Sequence, residues 1–147
     1  MPSVKLSSTP AGLLQQGPLI DILISATRFE LDEGRAVGLD FAEWPVRALI
    51  DTGASVTIIN PQIAKTCKHR QTSRARIVAV GGDAGEFPEH AAAISFPGTD
   101  LPSFDAIRVV ACPIMRRPFF SRLIGRDILQ KFRLTYDGRT GEVEIRA

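Results

Sequence analysis

Asp51, Thr52 and Gly53 stand where an apolar run, Ala48-Leu49-Ile50, stops abruptly. A carboxylate, a hydroxyl and a glycine in that order can do two things. The bland one is a turn, in which Asp accepts a hydrogen bond from its own backbone two residues on and Gly supplies backbone freedom. The chemical one is acid–base work by a carboxylate held on rigid backbone rather than on a mobile surface. The frame favours chemistry: Ala48, Leu49 and Ile50 precede the acid, and Ala54, Val56, Ile58 and Ile59 follow it. An Asp with core on both sides is partly desolvated and needs a partner, a hydrogen-bond network or a function.

Other chemistry-bearing residues offer less. Cys67 and Cys112 have neither a metal-ligand spacing nor a disulfide framework, and His69 and His90 have no zinc companions, so the cysteines read as reduced structural thiols, with a disulfide between the two as the alternative, and no metal is expected. Gly81 and Gly82 are followed by neither a helix nor a Lys-Ser/Thr pair, which argues against phosphate cradling. The basic stretch from Lys68 to Arg76 carries no interleaved aromatic residue, and a net charge of +2 with pI near 8.8 does not demand a nucleic-acid partner. A basic module using Arg70, Arg74 and Arg76 is the weakest of the functional readings. The N-terminus lacks the apolar core of a signal peptide, and no stretch approaches a bilayer-spanning length, so a soluble, cytoplasmic protein without membrane association is expected.

The elements that must position Asp51 follow from periodicity. At 147 residues, 44% of them hydrophobic, the chain suffices for one domain with a substantial core and is short for two. Residues 1–15, rich in Ser, Thr, Pro and Gly, read as a flexible lead-in, and residues 16–147 as the single domain. Ile20, Ile22 and Ile24 alternate with Leu19, Asp21 and Leu23, which predicts a strand over 18–26. Residues 29–44 contain two turn signals around Ala36-Val37-Gly38-Leu39-Asp40-Phe41 and read as a long hairpin leading into a strand over 46–50, which delivers Asp51. Val56-Thr57-Ile58-Ile59 is a short β-branched run, and Asn60-Pro61 starts a helix ending near Cys67.

Strands over 74–80 and 86–96 flank Gly81-Gly82-Asp83-Ala84-Gly85, a glycine-rich tip with little side-chain packing that is expected to be mobile. A strand over 104–112 and a loop over 113–121 come next. Leu123-Ile124 is a short strand, Gly125 follows, and Arg126 opens a helix of about two turns with Asp127 in its first turn. The chain closes as a hairpin around Asp137-Gly138. The tally is strand-dominated with two small helices.

Set beside Val80-Gly81-Gly82 and Leu123-Ile124-Gly125-Arg126-Asp127-Ile128-Leu129, the stretch Leu49-Ile50-Asp51-Thr52-Gly53-Ala54-Ser55 resembles the retropepsin-like aspartic proteases, the single-lobe relatives of the pepsins. Gln16-Gly17-Pro18-Leu19-Ile20-Asp21-Ile22 resembles the first strand of the retroviral members. Two departures place the chain closer to the cellular and bacterial branch. Ser55 stands where retroviral members usually carry an acid, and Gly17 where they carry a base; that acid pairs with the Arg matching Arg126, so Arg126 must be satisfied otherwise. The C-terminal hairpin also looks closer to the dimer sheet of cellular relatives.

The resemblance implies an all-β, retropepsin-like acid-protease fold: a closed, barrel-like sheet with a flap hairpin and one or two short helices, forming half of a two-fold dimer. One Asp-Thr-Gly is present and no second Asp-Ser-Gly, whereas this chemistry takes two carboxylates facing one water, so the second Asp51 comes from a homodimer partner. Asp51 is the implied catalytic residue, and Thr52, Gly53 and Ala54 support its loop. Val80, Gly81, Gly82 and Asp83 are the implied flap over an extended polypeptide substrate, and Leu123, Ile124, Gly125, Arg126 and Asp127 the structural segment beside the site. Two close carboxylates share a proton, one acting as base and the other as acid, and no cofactor is required. The runner-up is a retropepsin-fold dimerisation or peptide-binding module without turnover.

Overall fold

The computed structural model describes residues 1–79, 82–113 and 122–147. Val80 and Gly81 of the expected flap, and most of the loop expected over 113–121, lie outside the described residues. The elements run β1 (Ser3–Ser7), α1 (Pro10–Gln16), β2 (Leu19–Ser25), α2 (Arg28–Ala36), β3 (Trp44–Ile50), β4 (Ile58–Ile59), α3 (Pro61–Thr66), β5 (Gln71–Ala79), β6 (Gly82–Ser95), β7 (Phe104–Ala111), β8 (Leu123–Ile124), α4 (Arg126–Leu129), β9 (Arg133–Asp137) and β10 (Glu142–Arg146). Seven strands form a sheet in the order β2-β3-β8-β4-β7-β6-β5, and β2 also pairs with β6 through Leu23 to Ser95 and Ile24 to Ile94, which closes a ring. The second sheet is β1-β10-β9, antiparallel throughout. The fold is mostly β, in agreement with the sequence reading.

The interior is built from branched aliphatic side chains that alternate along the strands. Ile20, Ile22 and Ile24 from β2, Val46, Ala48 and Ile50 from β3, and Ile94, Val109 and Ile124 from the facing strands form one buried cluster. Phe96, Phe104 and Phe132 close its edge with mutual edge-to-face contacts, centroids 5.9 to 6.5 Å apart.

Several expectations are corrected. Residues 1–15 do not lack regular structure. Val4 and Leu6 alternate with Ser3, Lys5 and Ser7, and β1 pairs residue by residue with β10, from Ser3 opposite Arg146 to Ser7 opposite Glu142. Thr9-Pro10 caps α1 as Asn60-Pro61 caps α3, with Thr9 Oγ1 accepting from Gly12 N at 2.9 Å. Residues 29–44 are not a hairpin. Thr27 and Glu30 form a capping box, Glu30 N to Thr27 Oγ1 at 3.2 Å and Thr27 N to Glu30 Oε2 at 3.1 Å, and start α2. Gly34, buried on this helix, allows the Phe41 ring to close over it; a Cβ there would sit 2.4 Å from a ring carbon. With α1 and α2 the described residues hold four helices, and α4 is a single turn rather than two.

The glycine-rich tip also differs from its expectation. β6 begins at Gly82, opposite Ala79, so Gly82 to Gly85 belong to the strand. The register slips between Ile77 opposite Gly85 and Val78 opposite Asp83, a bulge that Gly85 accommodates with φ 108°.

Candidate active site

Three strands deliver Asp51. β3 runs antiparallel to β2 and parallel to β8, with Leu49 beside Leu123 and Ile50 beside Ile124. Ile50 is buried in the core, and its N–H donates to the Pro18 carbonyl at 2.9 Å. Asp51 N donates to the Ile124 carbonyl at 3.0 Å, so the acid leaves the sheet at a fixed point. It is half-buried, and the turn expected of Asp-Thr-Gly is present: Asp51 Oδ1 accepts from Gly53 N at 2.8 Å, and Ala54 N donates to the Asp51 carbonyl at 3.2 Å. Turn and rigid mounting coexist.

The Leu123-to-Asp127 segment packs behind this loop and locks it. Arg126 N donates to the Ala54 carbonyl at 2.9 Å, and Arg126 Nη1 to the Thr52 carbonyl at 2.7 Å. Asp127 accepts at Oδ2 from Thr57 N at 2.9 Å and at Oδ1 from Thr57 Oγ1 at 2.8 Å and Ile128 N at 2.9 Å. Thr57 Oγ1 in turn accepts from Gly125 N at 3.1 Å. Thr57 is 1% exposed, so this satisfied polar network in a buried seat fixes the relative positions of the two segments. Gly125 passes so close to Val56 that a Cβ would lie 2.5 Å from its carbonyl carbon and oxygen.

In front of Asp51 lies a groove of about 560 Å³. Gly53, Ala54, Ser55 and Val56 line it together with Ile58, Leu123 and the β5 residues Ala75, Ile77 and Val78. Asp51 is the one carboxylate among the described lining residues. Val56, Ala75, Ile77, Phe87 and Leu123 pack on a small cluster of Ile58, Val110 and Cys112, so the β5–β6 hairpin rests on the same apolar base as the groove. Burial raises the Cys112 thiol pKa, which keeps it a neutral packing group at ordinary pH.

Asp51, Thr52, Gly53 and Ala54 thus stand together with Leu123, Ile124, Gly125, Arg126 and Asp127. Gly82 and Asp83 open β6 opposite the end of β5. Thr57 was not among the expected site residues; a hydroxyl inside the apolar run Val56-Thr57-Ile58-Ile59 was its signal. The apolar walls Ile77 and Val78 were also missed, because strand alternation alone does not say which face roofs a groove. Among the described residues, no group of three or more His, Cys, Asp or Glu is placed to hold a metal ion.

A family model described as "gag-polyprotein putative aspartyl protease" matches residues 37–131, well over half of the chain. The chain belongs to the retropepsin-like aspartic proteases. The match spans Asp51 through Arg126 and Asp127, and so takes in the Asp51 loop, β5 and β6, and the Leu123-to-Asp127 segment. Among solved structures, the retropepsin-like aspartic protease from Rickettsia conorii superposes with a TM-score of 0.56 at 13% identity, covering 97% of this chain and 89% of that one. The EIAV protease complexed with the inhibitor HBY-793 gives a TM-score of 0.52 at 21% identity, covering 80% of this chain and 89% of that one. At these identities the likeness is one of fold. Against curated protein sequences the chain finds no match.

Proposed function

We propose that the protein is a homodimeric aspartic endopeptidase whose site joins Asp51 of two copies about a two-fold axis. The observation that carries this reading is the mounting of Asp51: a single carboxylate, fixed by Ile124 and Gly53, at the head of a groove that holds no second acid among its described lining residues. A dyad needs two acids, and a second copy supplies the other through a self-complementary interface. With one proton shared between them, the ionised Asp51 takes a proton from a bound water as it attacks the peptide carbonyl. The protonated Asp51 gives its proton to the carbonyl oxygen, and the roles reverse as the amine leaves.

Thr52 braces the paired loops across the axis, and Gly53 admits the substrate backbone. The β5–β6 hairpin, with Val80, Gly81, Gly82 and Asp83 at its end, acts as a flap that closes on an extended peptide and excludes water. The apolar walls formed by Val56, Ile58, Ile77 and Leu123 suit alternate apolar side chains of a substrate bound as a strand. The setting is cytoplasmic, in keeping with two free, buried cysteines. No helix among the described residues is long and apolar enough to cross a membrane.

The test compares wild type with Asp51→Asn on an unstructured polypeptide library from about pH 3 to about pH 8, with mass in solution measured alongside. Cleavage by the dimeric wild type and none by Asp51→Asn is the expected result. Equal cleavage by both proteins, or an active monomer, would sink the proposal; a dimer with no cleavage under any condition would favour a peptide-binding or dimerisation module.

A further inference from the structure

The end of α3 turns an imidazole into the body of the protein. Lys68 takes a left-handed conformation with φ 54°, which residues with a Cβ rarely adopt. His69 N then donates to the Ala64 carbonyl at 2.9 Å, and the His69 residue is only 7% exposed. Its Nε2 lies 2.8 Å from the carbonyl oxygen of Ser25, the last residue of β2. A carbonyl can only accept, so Nε2 carries the hydrogen and Nδ1 is the bare nitrogen. That Nδ1 is buried and has no hydrogen-bond partner among the described residues.

The same residue holds the foot of the β5–β6 hairpin. The His69 carbonyl lies 3.2 Å from His90 Nδ1 on β6, and the Arg70 carbonyl accepts from Ala91 N at 3.1 Å. Gln71, the first residue of β5, pairs with His90. The imidazole therefore ties the start of the hairpin beside Asp51 to the far end of β2.

We propose that His69 is an acid-released anchor of this hairpin: as a neutral ring it pins the foot to Ser25, and on gaining a second proton it leaves its seat and frees the foot. Only the consequence for turnover rests on reading the hairpin as a flap. The second proton would place a charged N–H where no acceptor stands among the described residues. The groups facing the ring divide. The Ser25 carbonyl on β2 and Glu30 on α2 favour the charged ring; His90 on β6, once protonated, opposes it. Cys67, at the end of α3, is held as a neutral thiol by burial, its pKa pushed up to about 11. Burial outweighs the favourable partners and lowers the His69 pKa to about 4.

The test follows backbone hydrogen exchange by NMR from about pH 7 to about pH 3, corrected for intrinsic rates, with the His69 ring titrated in the same samples. In wild type, protection of the β5 amides near Gln71 should fall in step with the His69 titration, ~10-fold or more further than that of β9 and β10. His69→Gln retains an N–H able to reach Ser25 and takes no proton, so its hairpin should stay protected throughout. Equal loss in wild type and His69→Gln, or a ring that titrates without any change in the hairpin, would overturn the proposal. If His69→Gln fails to fold, wild type decides: coincident midpoints support the anchor and separate midpoints refute it. No cleavage is read, so the outcome is independent of whether Asp51 catalyses.

Discussion

Arg126 Nη1 donates to the carbonyl oxygen of Thr52 at 2.7 Å, across 74 positions of sequence. This contact answers the question raised by Ser55, which leaves Arg126 without the acid that retroviral members usually offer it. Instead of pairing with a side chain, the guanidinium grips the backbone of the loop that carries Asp51, and Arg126 N reinforces it at Ala54.

Under the proposed function, Arg126 is a positioning residue. Arg126→Met should lower kcat ~10-fold or more with little change in KM, because a loop displaced by a fraction of an ångström misplaces the carboxylate. The contact is exposed, so the stability loss should stay near ~1 kcal/mol. Arg126→Lys should recover part of kcat. Steady-state kinetics beside urea unfolding check this; a kcat loss no larger than the stability loss explains would argue for a purely structural role.

Thr57→Val keeps shape and removes the hydroxyl between Gly125 and Asp127. Gly125 N would lose its acceptor and Asp127 Oδ1 one of its two donors, both at a buried junction. The expected destabilisation is ~1–3 kcal/mol, measurable as a lowered urea midpoint at unchanged slope. An unchanged midpoint would mean that water replaces the hydroxyl freely.

Gly125→Ala tests the close approach of the two segments. The new methyl would meet Val56 backbone, not the end of a flexible side chain, and backbone here is held by the Thr57 network. A loss of ~1–3 kcal/mol or more is expected, together with weaker activity, because relief must displace the β8–α4 corner against which Asp51 N is bonded. Full stability in this variant would show that the corner is soft.

The part of this fold that was legible in the sequence is the part whose chemistry is local. Asp51-Thr52-Gly53 announced itself because polar residues interrupt an apolar strand, and Asn60-Pro61 because a cap and a proline suffice to start a helix. Thr27 and Glu30 carried an equally local signal, the capping box, but it lay beside the β-compatible Ala36-Val37-Gly38-Leu39 and lost to it. β1 was illegible for a different reason. Val4 and Leu6 are too few to declare a strand, and what makes them one is β10, at the opposite end of the chain. The Arg126–Thr52 and Thr57–Asp127 contacts share that property: each half is an ordinary residue until the fold brings the other half to it.

His69 ties pH to stability, with a sign set by burial. Its pKa is lowered from the ordinary 6.5 to about 4 in the folded protein, so between those values the unfolded chain binds more protons than the folded one. Stability from this residue is therefore complete above about pH 6.5, declines as the pH falls toward 4, and is gone below that. A shift of this size corresponds to ~3 kcal/mol at most. Carboxylates add their own acid limb; Glu144, for example, has its pKa lowered by its hydrogen bond to Arg146. The informative quantity is thus the difference between wild type and His69→Gln in urea unfolding at about pH 7 and about pH 4. Wild type should lose ~2–3 kcal/mol more than the variant over that interval. Parallel losses would mean that the imidazole takes its second proton without disturbing its seat.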